Sequence, residues 1–134
     1  MYKIPQFTTE ITYQDVDVAG VVYFANYFNY AEKARSIFIK TLFGSIRLND
    51  TQNWAVKSTS AEYLYPAKLD DTIIVETMVE DLKMASFVFI QKLFVNNMLS
   101  CIVRTHILSI NQQGKPIRIQ NDYLEKISHF IKKD

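Results

Sequence analysis

Tyr13-Gln14-Asp15-Val16-Asp17-Val18-Ala19-Gly20-Val21-Val22-Tyr23-Phe24-Ala25-Asn26-Tyr27 is the stretch on which the fold turns, because the hydrophobic period changes across it. On its N-terminal side, Phe7-Thr8-Thr9-Glu10-Ile11-Thr12-Tyr13 alternates apolar and polar residues, and the alternation predicts a half-buried strand with Phe7, Ile11 and Tyr13 on one face. On its C-terminal side the period becomes helical. From Asn26 to Leu42 the residues Tyr27, Tyr30, Ala31, Ala34, Phe38, Thr41 and Leu42 form one stripe, with Glu32, Lys33, Ser36 and Lys40 elsewhere. Ala31 and Ala34 let the helix backbone come close to a sheet. Phe28, Ile37 and Ile39 carry the apolar surface past that stripe, which predicts a helix wrapped by its surroundings.

Beyond the helix the chain turns to β-branched and aromatic residues in four runs, Trp54 to Tyr65, Thr72 to Leu82, Ser86 to Val95 and Met98 to Asn111, each predicting a strand. Lys83-Met84-Ala85 and Asn96-Asn97 separate the last three and are short enough to demand antiparallel hairpins. Gly114-Lys115-Pro116 closes the sheet, and Asn121-Asp122 is placed to cap a short helix carrying Leu124, Ile127, Phe130 and Ile131. The predicted order is β-α-β-β-β-β-α, an α+β arrangement with one long helix against an antiparallel sheet.

The 134 residues suit one domain over 1–134, and no linker, repeat or long apolar span divides them. With 49% hydrophobic and 22% charged residues the chain is globular rather than disordered or membrane-inserted. A net charge of +1 lacks the basic footprint of a nucleic-acid binder. The lone Cys101 excludes an internal disulfide or a cysteine-rich zinc site and reads as inert strand packing. His106 and His129 have no partner at metal-ligand spacing, so no metal is expected. The start Met1-Tyr2-Lys3-Ile4-Pro5 lacks a signal-peptide apolar region, which points to a cytoplasmic protein.

Chemistry concentrates at the strand-to-helix junction. Two carboxylates, Asp15 and Asp17, precede Gly20 and a helix start whose first N–H groups have no partners inside the helix. A carboxylate there can serve as nucleophile or base while free N–H groups polarise a carbonyl under attack, which suits acyl transfer or hydrolysis. The structural alternative for Asp17 is an Asx-turn or cap, and for Asp15 the solvent-edge end of the first strand.

Asp15-x-Asp17-x-x-Gly20-Val21-Val22-Tyr23-x-x-Asn26-Tyr27, with Glu32-Lys33-Ala34-Arg35 after it, resembles the signature of the 4-hydroxybenzoyl-CoA thioesterase-like branch of the hotdog-fold acyl-CoA thioesterases. The likeness continues through Glu62-Tyr63-x-x-Pro66-Ala67-x-x-Asp70-Asp71 and Gly114-Lys115-Pro116. It implies a long central helix wrapped by a curved five- to six-stranded antiparallel sheet, hydrolysis of an acyl or aromatic CoA thioester, and no cofactor. By the same resemblance Asp17 is the catalytic carboxylate, as nucleophile or general base, and the oxyanion donor is the backbone amide near Phe24. Many relatives carry His where this chain has Phe24, a change that makes the acyl pocket more apolar unless Phe24 packs in the core.

The remaining candidates each have a structural alternative. Tyr23, Asn26 and Tyr27 are substrate-binding candidates that also read as core aromatics and an N-cap. Glu32 matches an acid facing the acyl end, yet pairs equally well with Arg35 at i,i+3. Thr59, with Lys57 and Ser58, is placed to reach the active-site mouth of a neighbouring subunit, as any polar strand face would be. Lys83 is the only residue of the basic cluster with which CoA-binding relatives grip the nucleotide, which leaves an acyl carrier protein as the alternative thioester carrier. A short sheet with an open edge and face predicts a homodimer or homotetramer. A non-catalytic acyl-binding module is disfavoured by the intact Asp17, and a dehydratase by the lack of a nearby His.

Overall fold

The computed structural model describes residues 3–45 and 51–133; Met1 and Tyr2 of the start discussed above lie outside them. The elements run β1 (Gln6–Glu10), a 3₁₀ turn (Tyr13–Asp15), α1 (Asn26–Phe43), β2 (Asn53–Tyr63), β3 (Thr72–Glu80), β4 (Ser86–Val95), β5 (Met98–Ile110) and α2 (Asn121–Ser128). The strands form one antiparallel sheet in the order β1-β3-β4-β5-β2. Alternate residues of β3, β4 and β5 are buried on its inner face, where α1 lies against β1, β3, β4 and β5. This is the α+β hotdog arrangement, with five strands among the described residues.

The helix lies close to the sheet because its contact face is built on small residues: Ala31 and Ala34 are buried between Tyr27, Tyr30 and Phe38. Around Tyr27 and Tyr30 the core is completed by Ile11, Ile73, Val75 and Val103. Towards the other end Phe38 meets Phe89 edge-on at 5.2 Å and Phe130 at 5.1 Å, a geometry that aligns ring edges with ring faces. Ile39 takes the buried place expected of Thr41, and Ile37 stays exposed. The helix is therefore enclosed on the sheet side, whereas along the edge strand β2 a groove lies open between Glu32, Arg35 and Ile39 and Trp54 and Val56, and Phe43 stacks on Trp54 at 6.3 Å. It ends at Gly44, whose φ of 81° is open to glycine without a Cβ clash and whose N–H donates to the Lys40 carbonyl at 2.8 Å.

The expected hairpins form. Val95 and Met98 face each other across Asn96 and Asn97, at φ 50° and 62°, so the two-residue turn uses the tolerance of asparagine for the left-handed region. The first strand ends earlier than its alternation suggests: β1 stops at Glu10, and Tyr13 is 84% exposed instead of facing the core. The cause is local. Asp15 Oδ2 accepts from the Thr12 backbone N–H at 3.0 Å and lies 3.2 Å from Thr12 Oγ1, folding the chain into the 3₁₀ turn before it reaches the helix.

Candidate active site

Asp17 stands at the base of a tight loop that the sheet holds in place. Val16 and Val22 form an antiparallel bridge, the Asp17 N–H donates to the Val21 carbonyl at 2.9 Å, and the Gly20 N–H donates back to the Asp17 carbonyl at 3.0 Å. That last bond needs the positive φ of 79° at Gly20, a conformation strained for any residue with a Cβ. The loop is stitched to the segment after β2 by Val22 N–H to Ala67 O (2.8 Å) and Leu69 N–H to Gly20 O (2.9 Å). The exposed Asp17 carboxylate accepts from the Ala19 N–H at 2.8 Å through Oδ1. It thus makes the Asx-turn of the structural alternative while Oδ2 has no hydrogen-bond partner among the described residues.

Asp15 has a different place. Its carboxylate is committed to Thr12, and its carbonyl accepts both the Tyr23 N–H at 3.0 Å and Asn26 Nδ2 at 2.8 Å, so it ties the loop to the helix start. Asn26 is therefore a strut rather than an N-cap. The helix has Ala25 at its N-cap position and no side-chain cap. The Asn26 N–H donates to Tyr23 O (2.8 Å) and the Phe28 N–H to Ala25 O (3.2 Å), whereas the N–H groups of Phe24 and Ala25 have no backbone acceptor among the described residues. Two donors at the positive end of the α1 dipole are left open beside the loop that carries Asp17.

Aromatic rings surround these donors. Tyr23 and Phe24 are 50% and 58% exposed, so neither belongs to the core, and their rings lie 4.7 Å apart. Tyr27 is buried, with its hydroxyl oxygen accepting the Ala67 N–H at 3.1 Å. Tyr63, at the end of β2, meets Phe24 edge-on at 6.3 Å and donates its hydroxyl to the Phe24 carbonyl at 3.1 Å. Phe24, Tyr27, Tyr63 and Pro66 line a hollow of about 270 Å³. Tyr63 was visible as a motif residue only; its bond to Phe24 spans 39 positions and leaves no trace in local pattern.

Asp17, Tyr23, Phe24, Asn26 and Tyr27 thus gather at one end of the protein. Glu32 lies further along α1, exposed, on a groove shared with Arg35, Trp54 and Val56, and makes no ion pair with Arg35 within 4 Å. Arg35 points inward and donates to Gln91 Oε1 and Thr105 Oγ1, both at 3.2 Å; burial lowers its pKa, and Glu32 opposes that shift. Thr59 sits mid-strand on β2, its hydroxyl 3.0 Å from that of Thr105. Lys83 lies in the β3–β4 turn, at the opposite end of β3 from the junction with β1, so one chain does not bring it to Asp17.

Two buried groups near the helix start are held protonated. The Tyr30 hydroxyl lacks a hydrogen bond of good geometry, and burial, reinforced by the nearby Asp15 charge, raises its pKa well above the tyrosine range. Burial likewise pushes the Cys101 thiol up to about 12, with Glu62 adding to the shift, which makes it the inert packing residue expected.

Known proteins resemble this chain in sequence and fold. A family profile described as the thioesterase superfamily matches residues 19–102, beginning just after Asp17. The chain is 38% identical to the acyl-CoA thioesterase YbgC of Haemophilus influenzae over 96 residues, covering 69% of this chain and 71% of that one. It superposes on a probable thioesterase from Bartonella henselae with a TM-score of 0.76 and 26% identity, over 88% of this chain and 100% of the other. A Staphylococcus aureus protein solved in complex with CoA shares the fold at a TM-score of 0.88 and 17% identity, over 96% of this chain and 84% of that one.

Proposed function

Since the chain belongs to the thioesterase superfamily and is a thioester hydrolase, we propose that it cleaves acyl-CoA thioesters with Asp17 as the essential carboxylate and the helix-start amides as oxyanion donors. The observation that carries this reading is the pairing of an exposed carboxylate, one oxygen uncommitted, with an uncapped helix start at Phe24 and Ala25. Two routes are compatible with it. In one, Asp17 attacks the thioester carbon, the C–S bond breaks, the thiolate leaves, and water hydrolyses the mixed anhydride. In the other, Asp17 takes a proton from water as that water attacks, and the departing thiolate is protonated. In both routes charge builds on the thioester oxygen, where a preorganised N–H donor lowers the barrier.

The exposed rings of Tyr23 and Phe24 and the hollow beside Tyr63 support an apolar or aromatic acyl group, in line with a place in the 4-hydroxybenzoyl-CoA thioesterase-like branch. The eleven-residue β2 is exposed from Val56 to Ser60 at the open edge of the sheet, which favours a homodimer joined along it, with Thr59 and Glu32 facing the partner, and a homotetramer as its doubling. A second reading, with the acyl group delivered on a carrier protein, is favoured by the isolation of Lys83, the only cation in the β3–β4 turn.

The test is hydrolysis of acetyl-, hexanoyl-, decanoyl- and benzoyl-CoA and matching carrier-protein thioesters by wild type and Asp17→Asn. Asp17→Asn should fall by about 100-fold or more while remaining folded, because an amide can neither attack nor accept the proton. Near wild-type turnover by that variant removes Asp17 from the mechanism, and a preference for acetyl-CoA over all others removes the apolar pocket.

A further inference from the structure

We propose that Tyr63 is a positioning residue that holds the Phe24–Ala25 peptide, and with it the Ala25 N–H, in the orientation the oxyanion site needs. The inference rests on the functional reading above and adds to it a residue from a different strand, with a defined mode of action.

The carbonyl of Phe24 lies one residue before the N-cap Ala25, outside the helix, so no intrahelical N–H serves it. The first-turn bond runs from the Phe28 N–H to the N-cap carbonyl of Ala25 at 3.2 Å, and the Tyr63 hydroxyl, 3.1 Å from Phe24 O, is the one donor to the Phe24 carbonyl among the described residues. The Phe24 carbonyl and the Ala25 N–H are the two ends of one planar peptide, so fixing the oxygen fixes the direction of the N–H. A hydrogen bond to the oxygen also polarises the amide and strengthens the N–H as a donor.

Tyr63 is built to hold its hydroxyl there. It is the last residue of β2, paired with Cys101 on β5, and the following N–H of Leu64 donates to Ser100 O at 2.9 Å, so its backbone belongs to the sheet. Its ring is braced edge-on by Tyr27 at 5.5 Å and by Phe24 at 6.3 Å. By contrast the Phe24 side chain is mostly exposed, and the helix start has no cap of its own. Without the hydroxyl, the peptide between loop and helix would have a free carbonyl, and nothing at that carbonyl would select one orientation. Burial raises the Tyr63 pKa, which keeps the group in its donating form.

The experiment compares Tyr63→Phe with Tyr63→Leu and Asp17→Asn, measuring kcat and KM for benzoyl-CoA below the melting temperature of each variant, and the ¹⁵N–¹H resonance of Ala25. Tyr63→Phe keeps the ring and removes only the hydroxyl. It should lower kcat about tenfold, as misorientation of a donor does, with KM within about twofold and the Ala25 amide resonance displaced. Tyr63→Leu, which also removes a wall of the hollow, should raise KM as well. Loss of packing alone would leave the Tyr63→Phe amide resonance and kcat unmoved. A Tyr63→Phe kcat within twofold of wild type together with an unchanged Ala25 resonance overturns the proposal. The two ideas fail separately: an active Asp17→Asn removes the carboxylate reading and leaves the Ala25 resonance to judge Tyr63, whereas a dead Asp17→Asn beside a wild-type-like Tyr63→Phe removes only the role of Tyr63.

Discussion

Gln91→Leu should destabilise the protein by about 2–3 kcal/mol although leucine is similar in size and the site is completely buried. Gln91 lies mid-strand on the inner face of β4, and its amide spends its polar atoms on three partners in two other elements, α1 and β3. Nε2 donates to Ala31 O at 2.8 Å and to Thr77 Oγ1 at 3.1 Å, and Oε1 accepts from Arg35 at 3.2 Å. Two neutral bonds at about 1 kcal/mol and one to a charged group at about 2 kcal/mol come to about 4 kcal/mol. Burying an apolar side chain in place of the amide returns about 1–2 kcal/mol of that. At about 3–5 °C per kcal/mol for a chain of this length, the melting temperature should fall by roughly 10 °C. Urea unfolding and calorimetry at fixed protein concentration give both numbers, the fixed concentration removing any contribution from association. The double variant Gln91→Leu/Arg35→Met should lose less than the sum of the two single variants, since removing both partners leaves fewer orphaned polar atoms. A Gln91→Leu protein within about 0.5 kcal/mol of wild type, or strict additivity in the double variant, would refute the view that this network pins α1 to the sheet.

Asn97→Gly should stabilise the β4–β5 hairpin by about 0.5 kcal/mol, read as a higher urea midpoint at unchanged m value, because glycine adopts the φ of 62° without strain. Cys101 should resist thiol reagents at pH 8 until the chain unfolds, and it should also shape the alkaline limit. Its folded pKa of about 12 stands above the ordinary 9.0, so the unfolded chain releases its proton first; the stability this contributes is intact below pH 9 and lost as pH rises towards 12. Cys101→Val should flatten that part of a stability-against-pH curve, and an unchanged slope would assign the alkaline loss to other groups such as Tyr30.

The elements legible from sequence are those whose cause is local. The change of period at the Asp15–Tyr27 junction locates β1 and α1, and Asn96-Asn97 marks a two-residue hairpin because asparagine tolerates positive φ. Tyr13 was misplaced by its alternation because a competing local interaction, Thr12 with Asp15, ends the strand first. What sequence did not disclose is carried by contacts between distant residues. The Arg35–Thr105 bond spans 70 positions and the Tyr63–Phe24 bond 39, so neither the core network nor the hold on the helix start has a periodic signature. Phe24 was legible as a site residue, yet whether its ring packed inside was decided only by Tyr23 and Tyr63 standing beside it at the surface.

The uncapped start of α1 is a departure from local consistency, and its location is informative. A Ser, Thr, Asp or Asn at Ala25 would accept from the Tyr27 or Phe28 N–H and stabilise the helix by about 1 kcal/mol. The fold instead secures that end of the helix by contacts that leave the amides alone: Asn26 Nδ2 to Asp15 O, the Ala67 N–H to the Tyr27 hydroxyl, the Tyr63 hydroxyl to Phe24 O, and Gln91 to Ala31 O one turn further in. Each of these bonds a side chain to main chain, and none uses the N–H of Phe24 or Ala25. Local rules tend to be broken where function requires it and compensated nearby. Here the broken rule is the missing cap, the compensation is this set of tethers, and the Phe24 and Ala25 N–H groups, which have no backbone acceptor among the described residues, stay available for the oxyanion role proposed for them.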